Sequence, residues 1–286
     1  MKMRTLLKST TALLIFSTLL TACSKNKGCT DPAASNFDIE ALKDDGSCIY
    51  DEIEITENNT ASITFNFTHH FDGVPVTAAN FDQFNFINAN GDTMSITKLR
   101  YLVSDIKLNT TNGNEVPMTG YHLVDVTNGT GLSYTVGQAE FGAFASIGFN
   151  FGFDTTDNSG NYIDLNSISW NVPAMMGGGY HGMQLEGKYK VNGVDSLYAY
   201  HHIVKKRTTM MAPFEDNHIT VNLPGIALNE ANVVVEIKMN IAEWFKNPDT
   251  WDLNTFHSSL MGNYNAQSMM QANGYNVFSL GIVSQK

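Results

Sequence analysis

Polar and apolar residues alternate in the run ITFNFTHH, so that Ile63, Phe65, Phe67 and then His69 share one face of an extended segment. Thr64, Asn66, Thr68 and His70 share the other face, and Asp72-Gly73 follows as a turn. A second extended run covers 81–87, Asn90-Gly91 marks a tight hairpin, and 95–109 forms a long run of looser alternation. Further strand-like runs fall at 116–126, 143–153, 180–191, 196–204, 218–223 and 232–239, separated by turn residues at short intervals. No helical period precedes residue 240. After it, 240–246 and 258–272 read as helices, the first stopped ahead of Pro248. Many short strands followed by a little helix predict a mainly β fold, an antiparallel β-sandwich with a short helical C-terminal segment.

The candidate chemistry collects in one of these hairpins. In 180–186 strict alternation places His181, Met183 and Leu185 on one face and Tyr180, Gly182, Gln184 and Glu186 on the other. Asn192-Gly193 turns the chain, and the returning run carries His201 and His202. Parity does not choose between these two. Neighbouring strands lie about 4.8 Å apart, so either imidazole can approach His181. Two or three imidazoles with a thioether nearby form a soft-metal donor set, for which copper is the first candidate. The predicted ligand set is His69, His181 and one of His201 and His202, with Met183 as a further donor and His70 as fallback. His122, flanked by Tyr121, Leu123 and Asp125, reads as structural; His218 beside Asp216 reads as a surface residue.

The N-terminus fixes the expected address. Residues 1–23 run from a basic start through the apolar stretch 12–20 to small residues and Cys23, a secretory leader too short to span a membrane. Leu20-Thr21-Ala22-Cys23 resembles a bacterial lipobox, which implies cleavage after residue 22 and lipidation of Cys23. An acyl anchor holds a domain at a membrane surface, here the cell envelope and by expectation the outer membrane. Cys29 and Cys48 then stand in a compartment that permits a disulfide. The segment they enclose resembles a short cysteine-flanked acidic repeat of bacterial surface proteins, and closing it contributes roughly 3 kcal/mol. Asp31, Asp38, Asp44 and Asp45 offer hard oxygen donors for calcium; the competing reading is a solvated acidic loop. The expected organisation is a leader at 1–22, a tethered module and linker at 23–60, and a sandwich at 61–286.

Charge narrows the partners. The formal charge is −11, and without Lys2, Arg4 and Lys8 of the leader the chain keeps 14 basic against 28 acidic residues. Phosphate binding needs clustered Lys and Arg, so a nucleic-acid partner is disfavoured.

Two stretches carry a family resemblance. LRYLVSDIKL (99–108) and GYHGMQLEG (179–187) resemble segments of the MbnP-like family of bacterial copper-binding lipoproteins. His69 ahead of Asp72-Gly73, and His201 or His202 after the LEG hairpin, fit the same pattern. The resemblance spans roughly residues 60 to 280. It implies a β-sandwich that binds copper through a few histidines at the envelope. Some relatives are thought to use an oxidised tryptophan produced by a di-haem, peroxidase-like partner enzyme. Here Ala174 and Met176 stand where the family has W-x-W, and the nearest tryptophan is Trp170. No G-x-S-x-G, H-E-x-x-H, Walker loop or free-cysteine nucleophile is present, so the chain is expected not to be an enzyme. The alternative is a lipid-anchored surface module that holds glycan or protein on exposed aromatic residues such as Tyr180, Tyr198 and Tyr200.

Overall fold

The structure is a computed structural model that describes residues 26–50, 59–118 and 120–286. The leader, Cys23 and most of the linker lie outside the described residues. The chain divides into two compact units between Glu57 and Asn58.

In the first unit Cys29 is joined to Cys48, and Lys27–Gly28 pairs in parallel with Lys43–Asp44. The acidic side chains expected as calcium donors close local turns instead. Asp38, Asp44 and Asp45 each accept a backbone N–H two residues on, from Glu40, Gly46 and Ser47. Asp31 accepts from Ala33 N and from the Tyr50 hydroxyl. Among the described residues no three of these carboxylates gather within 4.8 Å of one another.

The second unit is built from two sheets that share one core. Its long strands are β1 (Thr60–Phe71), β2 (Lys98–Thr110), β3 (Tyr121–Asp125), β4 (Ser133–Glu140), β5 (Gly142–Phe151), β6 (His181–Val191), β7 (Val194–Ile203), β8 (Ile219–Pro224), β9 (Asn232–Asn240) and β10 (Phe278–Gln285). One sheet has the order β4-β1-β9-β10; the other runs β8-β5-β2-β6, with β7 paired to β6 and β3 to β2. Strict alternation makes β1 a core strand, with Ala61, Ile63, Phe65, Phe67, His69 and Phe71 all buried. From the other sheet Tyr101, Phe149, Phe151, Met183 and Tyr200 enter the same core. The fold is thus mainly β, as the pattern predicts, although β1 and β9 run parallel.

The departures have local causes. β4 and β10 escape the sequence reading because bulges interrupt their ladders, at 135–137 in β4 and opposite 235–237 of β9 for β10. The run 116–126 breaks into Glu115–Pro117 and β3, both paired to β2. The run 81–87 is strand only at Phe86–Ile87, and 240–246 is a 3₁₀ turn, Ile241–Phe245. A short helix, α1 (Ile163–Ser167), forms ahead of residue 240, and the C-terminal helix is α2 (Tyr264–Gly274). Asn263 caps α2, its side chain accepting from Ala266 N at 3.1 Å.

Two features of this sheet position the candidate site. Along one flank β2 pairs first with β6, at Lys98 to Tyr101, and then with β5, at Val103 onward. The ends of β5 and β6 therefore meet. A side chain there would collide: a Cβ on Gly152 would lie 3.0 Å from the Gly182 Cα. The outer face of the sheet is also covered here, by a second small cluster of Leu102, Phe153, Leu165, Trp170 and Tyr180.

Candidate metal centre

A bulge at Gly182 decides where the histidines go. On β6 and β7, His181 pairs with Ile203 and Met183 with His202, leaving Gly182 as the extra residue. Directly opposed residues share a face of the sheet. Met183 therefore stays in the core with His202, while His181 is turned to the outer face with His201. Strict alternation had placed His181 and Met183 together; the inserted residue separates them. A glycine inside a strand pattern is the sequence sign of such a bulge.

On the outer face the His181 and His201 ring centroids are 5.1 Å apart, nearly perpendicular. His181 is buried and neither ring nitrogen has a hydrogen-bond partner among the described residues, with Nδ1 fully sealed. Burial pushes its pKa down to about 3, helped by His201, Arg100 and His202, so the ring is neutral with a free lone pair near pH 7. His201 is fixed differently. Its Nε2–H donates to Glu186 Oε1 at 2.9 Å, and Lys98 donates to the same oxygen at 2.8 Å. The hydrogen bond from His201 holds the Glu186 carboxyl down at about 2, so it is an ionised acceptor. In the neutral ring the proton on Nε2 leaves Nδ1 as a lone pair, the carboxylate–imidazole arrangement that orients metal ligands.

Glu186, Arg100 and Gln267 are the residues that sequence reasoning passed over here, and Trp170, noted there only as the nearest tryptophan, joins them. His181 N donates to Trp170 O at 3.0 Å, which lays the indole 5.8 Å from the imidazole. The Arg100 guanidinium sits 4.9 Å over that indole and donates to Gln184 Oε1 at 2.8 Å. From α2, Gln267 donates to His201 O at 2.8 Å and accepts from Ile203 N at 3.1 Å, clamping the end of β7. The signal for Glu186 was present in the sequence, since it shares a strand face with Gln184; Arg100 and Gln267 come from segments far along the chain.

The remaining candidates lie elsewhere. His202 is fully buried and its Nε2–H donates to Asn217 O at 2.9 Å. Its Nδ1 is sealed against the bulge, where a Cβ on Gly182 would come within 2.5 Å. Burial lowers its pKa to about 4. This imidazole serves packing. Met183 lies beside it, fully buried. His69 projects from the opposite sheet and meets the Tyr101 hydroxyl at 3.0 Å, while His70 faces away from the core beside Thr68. His69, His181 and either member of the 201/202 pair do not form a three-donor group. Among the described residues the group of three His, Cys, Asp or Glu ligand atoms within 4.8 Å is Asp105, Asp154 and Asp157. The histidine donor set on the outer face is a pair.

Two sheets sharing one core, with a histidine-bearing hairpin whose outer face meets Trp170, make this a mainly β protein with a candidate metal centre on one sheet. The chain belongs to the MbnP family, whose model matches residues 60–267. It is 15% identical to MbnP from Methylosinus trichosporium, over 67% of this chain and 79% of that one, with a TM-score of 0.44. No curated protein matches the chain significantly.

Proposed function

We propose that this chain is a copper-binding lipoprotein of the cell envelope, anchored through Cys23 and acting in copper acquisition or handling rather than catalysis. The observation that carries this reading is the His181–His201 pair: two imidazoles 5.1 Å apart, one with no hydrogen-bond partner among the described residues and the other oriented by Glu186. Leaving a buried polar nitrogen unpaired costs free energy, and a metal ligand is a use that offsets the cost. The donors fit the ion, because imidazole suits copper. His181 and His201 would hold the metal, Glu186 would fix the His201 tautomer, and Trp170 would shield the site from water. Copper supplies Lewis-acid and one-electron character when bound. Family membership supports the same reading. A di-haem, peroxidase-like enzyme is the partner proposed with it.

The test is titration of the lipid-free domain with Cu(I) and Cu(II). The expected result is stoichiometric binding that His181→Ala abolishes. Absence of stoichiometric binding by the wild type would favour a metal-free binding module instead, with a contact face other than the expected Tyr180, Tyr198 and Tyr200, which are all buried.

A further inference from the structure

The flank of β1 opposite β9 is not fully covered. β4 matches β1 only from Thr60 to Asn66, and Val74–Pro75 matches it at His70 and Phe71. From Phe67 to His69 no strand among the described residues lies alongside; Leu132 O accepts from Phe67 N and Val76 N donates to His69 O, and a cleft of about 510 Å³ opens there. Its walls are mostly apolar, with Phe67, Val76, Ala79, Val126 and Leu132 among them, and His69 lines it too. The size and lining are those of small-molecule sites, which combine apolar walls with a few placed polar groups.

The polar group is His69, and its surroundings fix which nitrogen carries the proton. The Tyr101 hydroxyl is fully buried, and His69 Nε2, at 3.0 Å, is its one hydrogen-bond partner among the described residues. If Nε2 carried the hydrogen, the phenolic O–H would be buried with nothing to donate to, at a cost of about 1–3 kcal/mol. The hydroxyl therefore donates to Nε2, and the neutral ring keeps its proton on Nδ1. Among the described residues that N–H has no acceptor and, unlike the Nδ1 atoms of His181 and His202, it is not sealed from solvent. Burial keeps the ring uncharged near pH 7, with its pKa lowered to about 4. At the margin, Thr68 donates to Glu236 Oε1 at 2.9 Å, and Ile282 N donates to the other carboxylate oxygen. A carboxylate at the margin disfavours an anion.

We infer that this cleft binds a small, neutral, apolar molecule carrying a hydrogen-bond acceptor, such as an aromatic ketone or quinone, with its oxygen on the His69 Nδ1–H. The site is separate from the outer-face imidazole pair and does not depend on copper.

A matched pair of probes tests it: 2-acetylnaphthalene, which carries the acceptor, and 2-ethylnaphthalene, which does not. Both are titrated by fluorescence into the lipid-free chain with a chelator present, so failure here is independent of metal binding. The expected result is one saturable site with about tenfold preference for the ketone, the worth of one hydrogen bond. His69→Phe should erase the preference. Ala79→Trp, at an exposed wall position, should abolish binding of both probes without lowering the unfolding midpoint. The absence of saturable binding, equal affinity for the two probes, or binding that survives Ala79→Trp would overturn the inference.

Discussion

The two faces of the β6–β7 hairpin carry the same residue type to opposite ends. On the inner face His202 is wedged between Phe151, at a centroid distance of 5.8 Å, and the Gly182 bulge, with Nε2–H spent on Asn217 O. On the outer face His181 and His201 stand 5.1 Å apart, and His181 has no hydrogen-bond partner among the described residues. Adjacent positions in sequence thus separate into packing and candidate chemistry. The difference comes from what the second nitrogen of each ring meets. His202 spends its Nε2–H on a backbone carbonyl inside the core, whereas His201 has a carboxylate behind Nε2 and His181 has no partner at either nitrogen among the described residues.

The broadest way to stress this contrast is acid. His69, His181 and His202 have pKa values pushed below the ordinary 6.5, to about 4, 3 and 4, first of all by burial. Below pH 6.5 the unfolded chain protonates these imidazoles while the folded chain does not. The contribution of these rings to stability is therefore constant above that pH and falls as pH drops toward about 4. With all three contributing, the slope approaches about 4 kcal/mol per pH unit. Urea unfolding of the metal-free domain between pH 7 and 4.5 measures it; a flat profile would mean that these rings are not neutral in the fold. Saturating copper should shift the profile, because ligand held only by the folded state stabilises it.

The next largest effect separates the neighbours directly. His202→Ala removes a fully buried ring and strands the Asn217 carbonyl. It should cost about 3 kcal/mol in urea unfolding and leave copper stoichiometry intact. His201→Ala, at a half-buried position, should cost less than about 1 kcal/mol and remove copper binding. The reverse pattern would exchange the roles assigned to the two faces.

These roles were only partly legible in the sequence. The alternation of Ile63, Phe65, Phe67 and His69 gives β1 and its inward histidine directly, because one face of that strand is buried throughout. The hairpin and its turn at Asn192-Gly193 follow from local chemistry as well. What strict alternation loses is the Gly182 bulge, since one inserted residue reverses every face assignment on its N-terminal side. It also cannot decide between His201 and His202, where parity is settled by α2 and by β5, more than 45 residues away in either direction. Convergence of His69 with the hairpin histidines was expected from distant segments of one sandwich. Instead His69 projects from the other sheet onto the Tyr101 hydroxyl.

A subtler change tests the carboxylate behind His201. Glu186→Gln keeps an acceptor but removes the charge that holds the Nε2–H tautomer. Loss of a group that orients a metal ligand weakens binding about tenfold, close to 1.4 kcal/mol. A competition titration with a copper chelator reads this directly, and an unchanged affinity would remove Glu186 from the site.

The measurement that bears most directly on the account is pulsed EPR of the Cu(II)-loaded domain, which counts imidazoles through the coupling of their remote nitrogens. Two coupled rings are expected in the wild type, with a signal that His181→Ala and His201→Ala each diminish and His69→Ala leaves untouched. A spectrum unaltered by either outer-face substitution, or one that changes with His69→Ala, would contradict the assignment of the metal to this pair.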